Sequence, residues 1–495
     1  RTFDGFRKII QQDFDTAYII DTKSDVRANP KIAGTTHNVF GIQTGIAIMF
    51  LVKKQVRENT TCKIHYIALD DFWRKEQKLQ WLSENHLRQI SFEIIRPDKK
   101  NNWINLADND FDKLLPLCSK EAKAGKSKEV LFELFSLGVV TARDEWVYDN
   151  NNKMLSDKVN FLIDVYNKEQ ALYKGKNKKE IKDLVDYSIK WTRAVKNDVS
   201  KGKIYKFNKK DIIESLYRPF VKKKLYFNKE LNEMQYQLNS IFCKKNISIN
   251  FLCVNSSNEL AALISNQLFD YGLLKKGNGG TQCLPLYRYD KDGNCIDNIT
   301  DWGLEQFAAH YPDKGLKPLV KEDIFHYVYA VLHNPAYRQK YELNLKREFP
   351  RIPFYENFHQ WATWGKRLID LHINYESIKP YPLQVVTATD VKPLPKPKLK
   401  ADKESGVIFL DDNTELTGIP AEAWNYKLGN RSALEWILDQ YKESKPKDPT
   451  IAEKFNTYRF ADYKEQVVDL LKRVCTVSVE TMKIVDEMKI NKTLL

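Results

Sequence analysis

Apolar residues at Ile324, Phe325, Val328, Val331 and Leu332 recur at three- and four-residue spacing, which predicts one buried helix face. Glu322 and Asp323 fall in the first turn, where carboxylates complement the helix dipole. His333-Asn334-Pro335 ends the helix, because proline disfavours helical geometry in the residue before it. A second helix is expected from Pro335, with Tyr337, Tyr341 and Leu345 on one side and Arg338, Lys346 and Arg347 on its other faces. Phe349-Pro350-Arg351-Ile352-Pro353 cannot continue that helix and reads as an extended exit. On physics alone the stretch is a buried helical hairpin with ordinary solvated charges.

Elsewhere the pattern predicts a mixed α+β, helix-rich chain. Residues 1–14 read as a short amphipathic helix, and Thr16 to Asp21 as a buried strand. Val39 to Lys54 reads as two strands or one bent strand, with Gly41 and Gly45 as bend points, and Cys62 to Leu69 as a further strand. No helix of crossover length separates them, so this part resembles the antiparallel edge of a larger α/β sheet. Helices are expected from Phe72 to Asn85 and over residues 154–173, the latter burying Leu155, Val159, Leu162, Ile163 and Tyr166. Short strands are expected around Ile90 to Ile95, Ser248 to Val254 and Cys283 to Tyr289. From Thr387 to Ser405, Pro393, Pro395 and Pro397 alternate with Lys and Leu, which spells an extended linker. A hairpin around Asp411-Asp412-Asn413 and closing helices follow. The expected divisions are 1–75, 76–386, the linker at 387–405, and 406–495.

Composition supports packed cores: 42% of the 495 residues are hydrophobic and 12% aromatic, enough for two to four domains. No apolar run reaches membrane-span length and no signal-peptide pattern is present, so a cytoplasmic protein is expected. The seven cysteines include no CxxC pair and the eight histidines show no metal-ligand spacing, which fits reduced thiols rather than disulfides or zinc. The first residue is Arg, which leads us to expect a fragment or a processed chain. The net charge of +14 is uneven. Residues 174–224 hold 15 Lys and 2 Arg against 6 acids, a local excess of +11. Such a stretch either attracts polyanions such as nucleic acid or serves as a solubilising surface.

The stretch DIFHYVYAVLHNPAYRQKYELNLKREFPRIPF, followed by GKRLIDLHINYES, closely resembles the C-terminal specificity region of type ISP restriction-modification enzymes. These are single-chain bacterial proteins that join a nuclease, a helicase-like translocase, an adenine-N6 methyltransferase and a target-recognition domain. Other segments resemble the same family in the same order. FDTAYIIDT and GTTHNVFGIQTGIAIMFLVKK resemble the last strands of the methyltransferase domain. Gly138, Val139, Thr141, Arg143, Asp144, Trp146, Val147 and Tyr148 keep a second motif. Trp191-Thr192-Arg193, Tyr217-Arg218-Pro219-Phe220 and GIPAEAWNYKLGNRSALEWILDQY are also family-like.

The resemblance implies a remnant of a methyltransferase sheet followed by a DNA-recognition domain. It implies double-stranded DNA and the remainder of a parent polypeptide as partners. S-adenosylmethionine and ATP with Mg are implied for that parent, and no cofactor for this chain. Phe40 maps onto an aromatic position near a flipped base, where it stacks on adenine or is simply a core residue at a strand start. Arg143 either reaches a base edge or phosphate or braces the fold by pairing with a carboxylate such as Asp144. Arg193, Arg218, Lys222, Lys223 and Lys224 interleave with aromatics and suit backbone contact. Arg338, Arg347 and Arg351 lie close together in sequence. Arg338 is expected to contact DNA, and Arg351 to brace the hairpin through a carboxylate such as Glu356.

Missing motifs narrow the function further. The Gly-rich loop that holds S-adenosylmethionine and the Asn/Asp-Pro-Pro-aromatic tetrapeptide are both absent, and Asn334-Pro335-Ala336-Tyr337 only imitates the latter. Gly125-Lys126-Ser127 lacks the upstream glycine of a phosphate loop, and Asp290-Lys291-Asp292-Gly293 lacks the closing Glu of a calcium loop and reads as a turn. The chain alone is therefore expected not to catalyse. Rival readings are a protein–protein scaffold with a basic docking face and one half of a split methyltransferase.

Overall fold

A computed structural model describes residues 3–26, 34–56, 61–98, 101–104, 109–173, 176, 186–252, 259–274, 279–312 and 318–490. The chain separates into two compact units, residues 1–109 and 110–495. Part of the basic stretch between Lys174 and Lys224, namely 174–175 and 177–185, lies outside the described residues.

In the first unit, helix α1 (Asp4–Asp13) precedes β1 (Thr16–Asp21), β2 (Ala47–Val52), β3 (Lys63–Ala68), α2 (Lys75–Glu84) and β4 (Glu93–Ile95). The sheet order is β2-β1-β3-β4, with β1 parallel to β3 and the outer pairs antiparallel. The outer pairs are antiparallel as expected, but the central β1–β3 pair is parallel, which the expectation of an antiparallel edge did not include. The pairing of β4 with β3, and the bond from Arg7 Nε to the Asn101 carbonyl at 2.7 Å, tie residues well past position 75 to this sheet. Edge strand β2 leaves Met49, Phe50 and Val52 exposed.

Only Ala47–Val52 of the stretch expected as two strands is extended. Asn38 explains the difference. Its Oδ1 accepts from the backbone of Phe40 at 3.0 Å and Ile42 at 3.4 Å, and its Nδ2 donates to the Thr44 carbonyl at 2.7 Å. A side chain that satisfies the local backbone in this way competes with a strand ladder and winds the segment into a turn. Gly41 takes the left-handed φ of 68° that this turn needs.

The second unit runs through α3 (Asn152–Leu172), α4 (Arg193–Ser200), the hairpin β5 (Ile212–Arg218) and β6 (Val221–Tyr226), and strands β7 (Ser248–Leu252), β8 (Ala261–Ser265) and β9 (Gln282–Pro285). Helices α5 (Lys321–His333), α6 (Pro335–Lys340) and α7 (Phe358–Ile373) follow. The chain ends in β10 (Gln384–Thr387), β11 (Pro397–Asp402), β12 (Val407–Asp411), β13 (Thr414–Thr417), α8 (Ala433–Tyr441) and α9 (Lys464–Ile490).

The sheet β8-β7-β9, extended by Ser136–Leu137, is the partition of this unit. Every residue of β7 and β8 is buried. Because strand side chains alternate between faces, Leu252, Ala261, Leu263 and Cys283 enter one hydrophobic cluster, while Ile249, Phe251, Ala262, Ile264 and Leu284 enter the other.

Helix α5 lies inside the second cluster, buried from Ile324 to His333. It packs on α7 so closely that a Cβ at Gly365 would sit 1.7 Å from the His326 carbonyl oxygen. Asn334 caps α6, accepting from the Ala336 amide at 2.9 Å, and Pro335 takes the first helical position. The second helix of the expected hairpin is broken: α6 ends at Lys340 and a separate turn covers Glu342–Leu345. Even so, Tyr337, Tyr341 and Leu345 all remain buried.

The Pro/Lys stretch is extended, as its composition requires, but it belongs to a sheet. β10 and β11 form the two edges of the order β10-β13-β12-β11, and a bulge separates Pro397 from Lys400. An edge strand tolerates prolines because its outer amides need no partner. Asn413 clips the remaining segment through two bonds to the Lys392 backbone, at 2.9 and 2.7 Å.

Candidate functional site

In the first unit, the turn that carries Phe40 is pinned to the start of α2. The Lys75 amide donates to the Thr36 carbonyl at 3.2 Å, and His37 Nδ1 donates to the Trp73 carbonyl at 3.3 Å. Asn38 is 1% exposed, while Phe40 beside it is 72% exposed. The reading of Phe40 as a core residue therefore fails. The turn, braced by Asn38, holds this large ring in solvent.

The candidate cations of the second unit divide into two groups. The first is committed to the protein. Arg143 is 4% exposed and its Nη2 donates to Thr192 Oγ1, while burial pushes its guanidinium down to about 10. The suggested pairing with Asp144 does not occur: Asp144 accepts from Thr141 Oγ1 and from the Tyr217 hydroxyl. Arg218 pairs with buried Asp270 at 2.7 Å and lies 3.9 Å from the Tyr217 ring centroid. Lys222 binds Glu376 at 2.5 Å and Glu214 at 3.3 Å, and Lys224 binds Glu214 at 3.0 Å. Lys223 stands 4.4 Å over the Tyr217 ring. Burial, with Arg218 and Lys158 nearby, pushes its ammonium down to about 8.

Arg351 binds the Asp112 carbonyl at 3.2 Å and approaches its carboxylate at 3.7 Å and that of Glu348 at 4.0 Å. Its acidic neighbours are Asp112 and Glu348, not the suggested Glu356. Arg338 is half-buried, with Nε donating to the Leu332 carbonyl at 2.7 Å.

The second group is exposed. Arg193 opens α4, and Arg347 follows the turn after α6. Lys190, Lys196, Lys201, Lys206, Lys209 and Lys210 are also exposed, and none of them forms an ion pair among the described residues. Their segment is held firmly. Tyr205 exchanges two backbone bonds with the Asn167 side chain, at 2.9 and 3.0 Å, and its ring stacks on Tyr166 at 3.7 Å. The Tyr166 hydroxyl donates to the Lys203 carbonyl at 2.8 Å. Fixed backbone and free ammonium groups make a surface suited to a polyanion.

Sequence reasoning located this segment by charge density but did not separate its free lysines from the paired ones. One pairing was legible in principle. A hairpin through Tyr217-Arg218-Pro219-Phe220 sets Glu214 opposite Lys224, a favourable cross-strand pair. Glu376, Asp270 and Asp112 come from far along the chain and left no local signal. Among the described residues, no group of three or more His, Cys, Asp or Glu is placed to hold a metal ion, and no helix is long and apolar enough to cross a membrane.

The family model for the Type ISP C-terminal specificity domain matches residues 130–470. The chain belongs to this family. Among solved structures, a chain of the cryo-EM DrdV–DNA complex is 45% identical with a TM-score of 0.83, covering 99% of this chain and 49% of its own. The Type ISP restriction-modification enzyme LlaGI, a nuclease-deletion mutant in complex with a DNA substrate mimic, is 29% identical over 98% of this chain and 37% of its own, with a TM-score of 0.74. The ATP-dependent Type ISP enzyme LlaBIII bound to DNA is 26% identical over 99% of this chain and 32% of its own, with a TM-score of 0.76. The specificity-domain chain thus spans about half the length of the first of these and about a third of the other two. No curated protein matches it.

Proposed function

We propose that this specificity-domain chain recognises a short asymmetric DNA sequence for a restriction-modification enzyme and presents one adenine of it to an adenine-N6 methyltransferase core. The observation that carries the reading is the match, over almost the whole chain, to enzymes solved on DNA. In this reading Arg193 and the free lysines from Lys190 to Lys210 fix register on phosphates, which sets affinity without reading sequence. Arg347 is exposed and available to a base edge. Arg143, Arg218, Lys222, Lys224 and Arg351 act one step back, holding the frame on which those contacts are mounted. Phe40 fills the space of, or stacks on, the extruded base.

S-adenosylmethionine and ATP with Mg are assigned to the rest of a longer polypeptide. The exposed apolar edge β2 is the surface on which that methyltransferase core would continue the sheet. The setting is cytoplasmic, and the chain alone transfers no methyl group.

The test is selection from a random duplex pool with the purified chain, followed by titration of the enriched sequence at several salt concentrations. Enrichment of one sequence with salt-dependent affinity is expected. Binding that is absent, or that ignores salt, favours a docking scaffold and overturns the proposal. Methyl transfer from S-adenosylmethionine by this chain alone overturns the assignment of chemistry to the remainder.

A further inference from the structure

Leu394 is 89% exposed, more than any other large apolar side chain among the described residues. It stands at a bend in the segment between β10 and β11, with Pro393 before it and Pro395 after it. Each pyrrolidine ring fixes its own φ, and Pro395 also disfavours helical geometry at Leu394, so the bend has little freedom to fold the leucine away. Both ends of the bend are tied to the turn between β12 and β13. The Lys392 amide donates to Asn413 Oδ1 at 2.9 Å, and Asn413 Nδ2 donates to the Lys392 carbonyl at 2.7 Å. The Asp412 amide donates to the Lys396 carbonyl at 3.1 Å. A lone exposed leucine needs no explanation, but this one is held out by two prolines and three hydrogen bonds.

The charge around this tip says what it meets. Residues 388–400 contain Lys392, Lys396, Lys398 and Lys400 against Asp390 alone, a local excess of +3. Asp412 takes Lys392 at 3.1 Å and Lys398 at 3.3 Å. Lys396 and Lys400 are exposed and form no ion pair among the described residues. An apolar pocket alone would match the leucine and leave these ammonium groups uncompensated. An anionic surface alone would match the lysines and gain nothing from the leucine. The occupant has to offer a narrow apolar slot between dense negative charges. The minor groove of duplex DNA has that combination, because phosphates line both walls and an opened base step exposes two apolar faces.

We propose that Leu394, braced by Pro393 and Pro395, is a wedge that enters the minor groove and opens one base step, with Lys396 and Lys400 on the flanking phosphates. The inference rests on the reading of this chain as a duplex-binding specificity domain, and adds to it a contact that senses how readily DNA kinks. Pyrimidine–purine steps unstack most easily, so the wedge favours TA or CA at one position without reading a base edge.

Energy transfer between dyes at the two ends of a duplex reports bending, and tests this with the full chain, Leu394→Ala and Leu394→Phe. The side chain is exposed, so both variants should keep the parent's melting temperature. On the duplex enriched from the random pool, the parent and Leu394→Phe are expected to raise the transfer. Leu394→Ala is expected to leave it at the free-duplex level and to bind roughly tenfold more weakly, as befits a lost buried leucine side chain. A random duplex with one nick, already loosened at one step, is expected to bind the parent more tightly than the intact duplex does, and Leu394→Ala equally in both forms. Equal bending by the parent and Leu394→Ala, or sequence-specific binding without a bend, overturns the wedge and leaves the reading of the chain intact. A Leu394-dependent preference for the nick with no sequence selected supports the wedge and overturns that reading. Binding to no duplex of either kind overturns both and leaves the tip to an acidic protein partner.

Discussion

Replacing Lys196, Lys206, Lys209 and Lys210 together by Ala removes four exposed ammonium groups that pair with no acid among the described residues. If each neutralises one phosphate, binding releases about 0.9 counterion per contact, so the slope of log K against log salt should flatten by about 3 to 4. The loss should be the same on random and selected duplexes, because phosphate contacts carry no sequence information. Lys222→Ala with Lys224→Ala is the internal control. Glu376 and Glu214 already neutralise these lysines, at 2.5 and 3.0 Å, so the slope should change by less than about one. Fluorescence anisotropy on a labelled random duplex, from about 50 to 200 mM salt, measures both variants. The melting temperature serves as the check on folding. A control that flattens the slope as much as the fourfold variant would refute the reasoning and move the DNA onto the β5–β6 hairpin.

Other outcomes follow from the packing. Arg218→Ala strands the buried Asp270 carboxylate and should cost about 3 kcal/mol in urea unfolding, weakening every duplex alike; loss of sequence preference at one position with stability intact would contradict the brace. Gly365→Ala forces α5 and α7 apart against the His326 carbonyl and should cost about 3 kcal/mol or more, read as a fall in melting temperature. His333 has its ring held neutral, with a folded value of about 3 against an ordinary 6.5. Its stabilising contribution is therefore complete above 6.5 and is lost as pH falls through the window down to 3, about 2 kcal/mol by about pH 5. Denaturant titrations should show a smaller loss in His333→Phe than in the parent, the remainder coming from His372, whose imidazole burial also pushes down. Phe40→Ala should leave stability within about 0.5 kcal/mol and should lower the fluorescence of a duplex with 2-aminopurine at the target adenine.

Much of the architecture was legible along the chain. The helix at Ile324–Leu332, its stop before Pro335, the long helix beginning near residue 154 and the hairpin at Asp411–Asn413 all stand where periodicity and turn chemistry put them. These features depend on interactions within a few residues, so a linear reading contains them. The turn at Asn38 was missed because an asparagine side chain replaced a ladder that the apolar run alone suggested. The Pro/Lys stretch was correctly extended, yet nothing within it told that β12 and β13 would take it into a sheet.

The sequence by itself determined which family the specificity-domain chain resembles, where the positive charge concentrates and which segments are helical. Only the tertiary structure decided which of the charges are free. Lys222 and Lys206 are equal in composition and in pattern, and they differ because Glu376, more than 150 positions away, folds back onto one and not the other. A cation's availability depends on the field of every group brought within a few ångströms, and that proximity is a property of the folded chain.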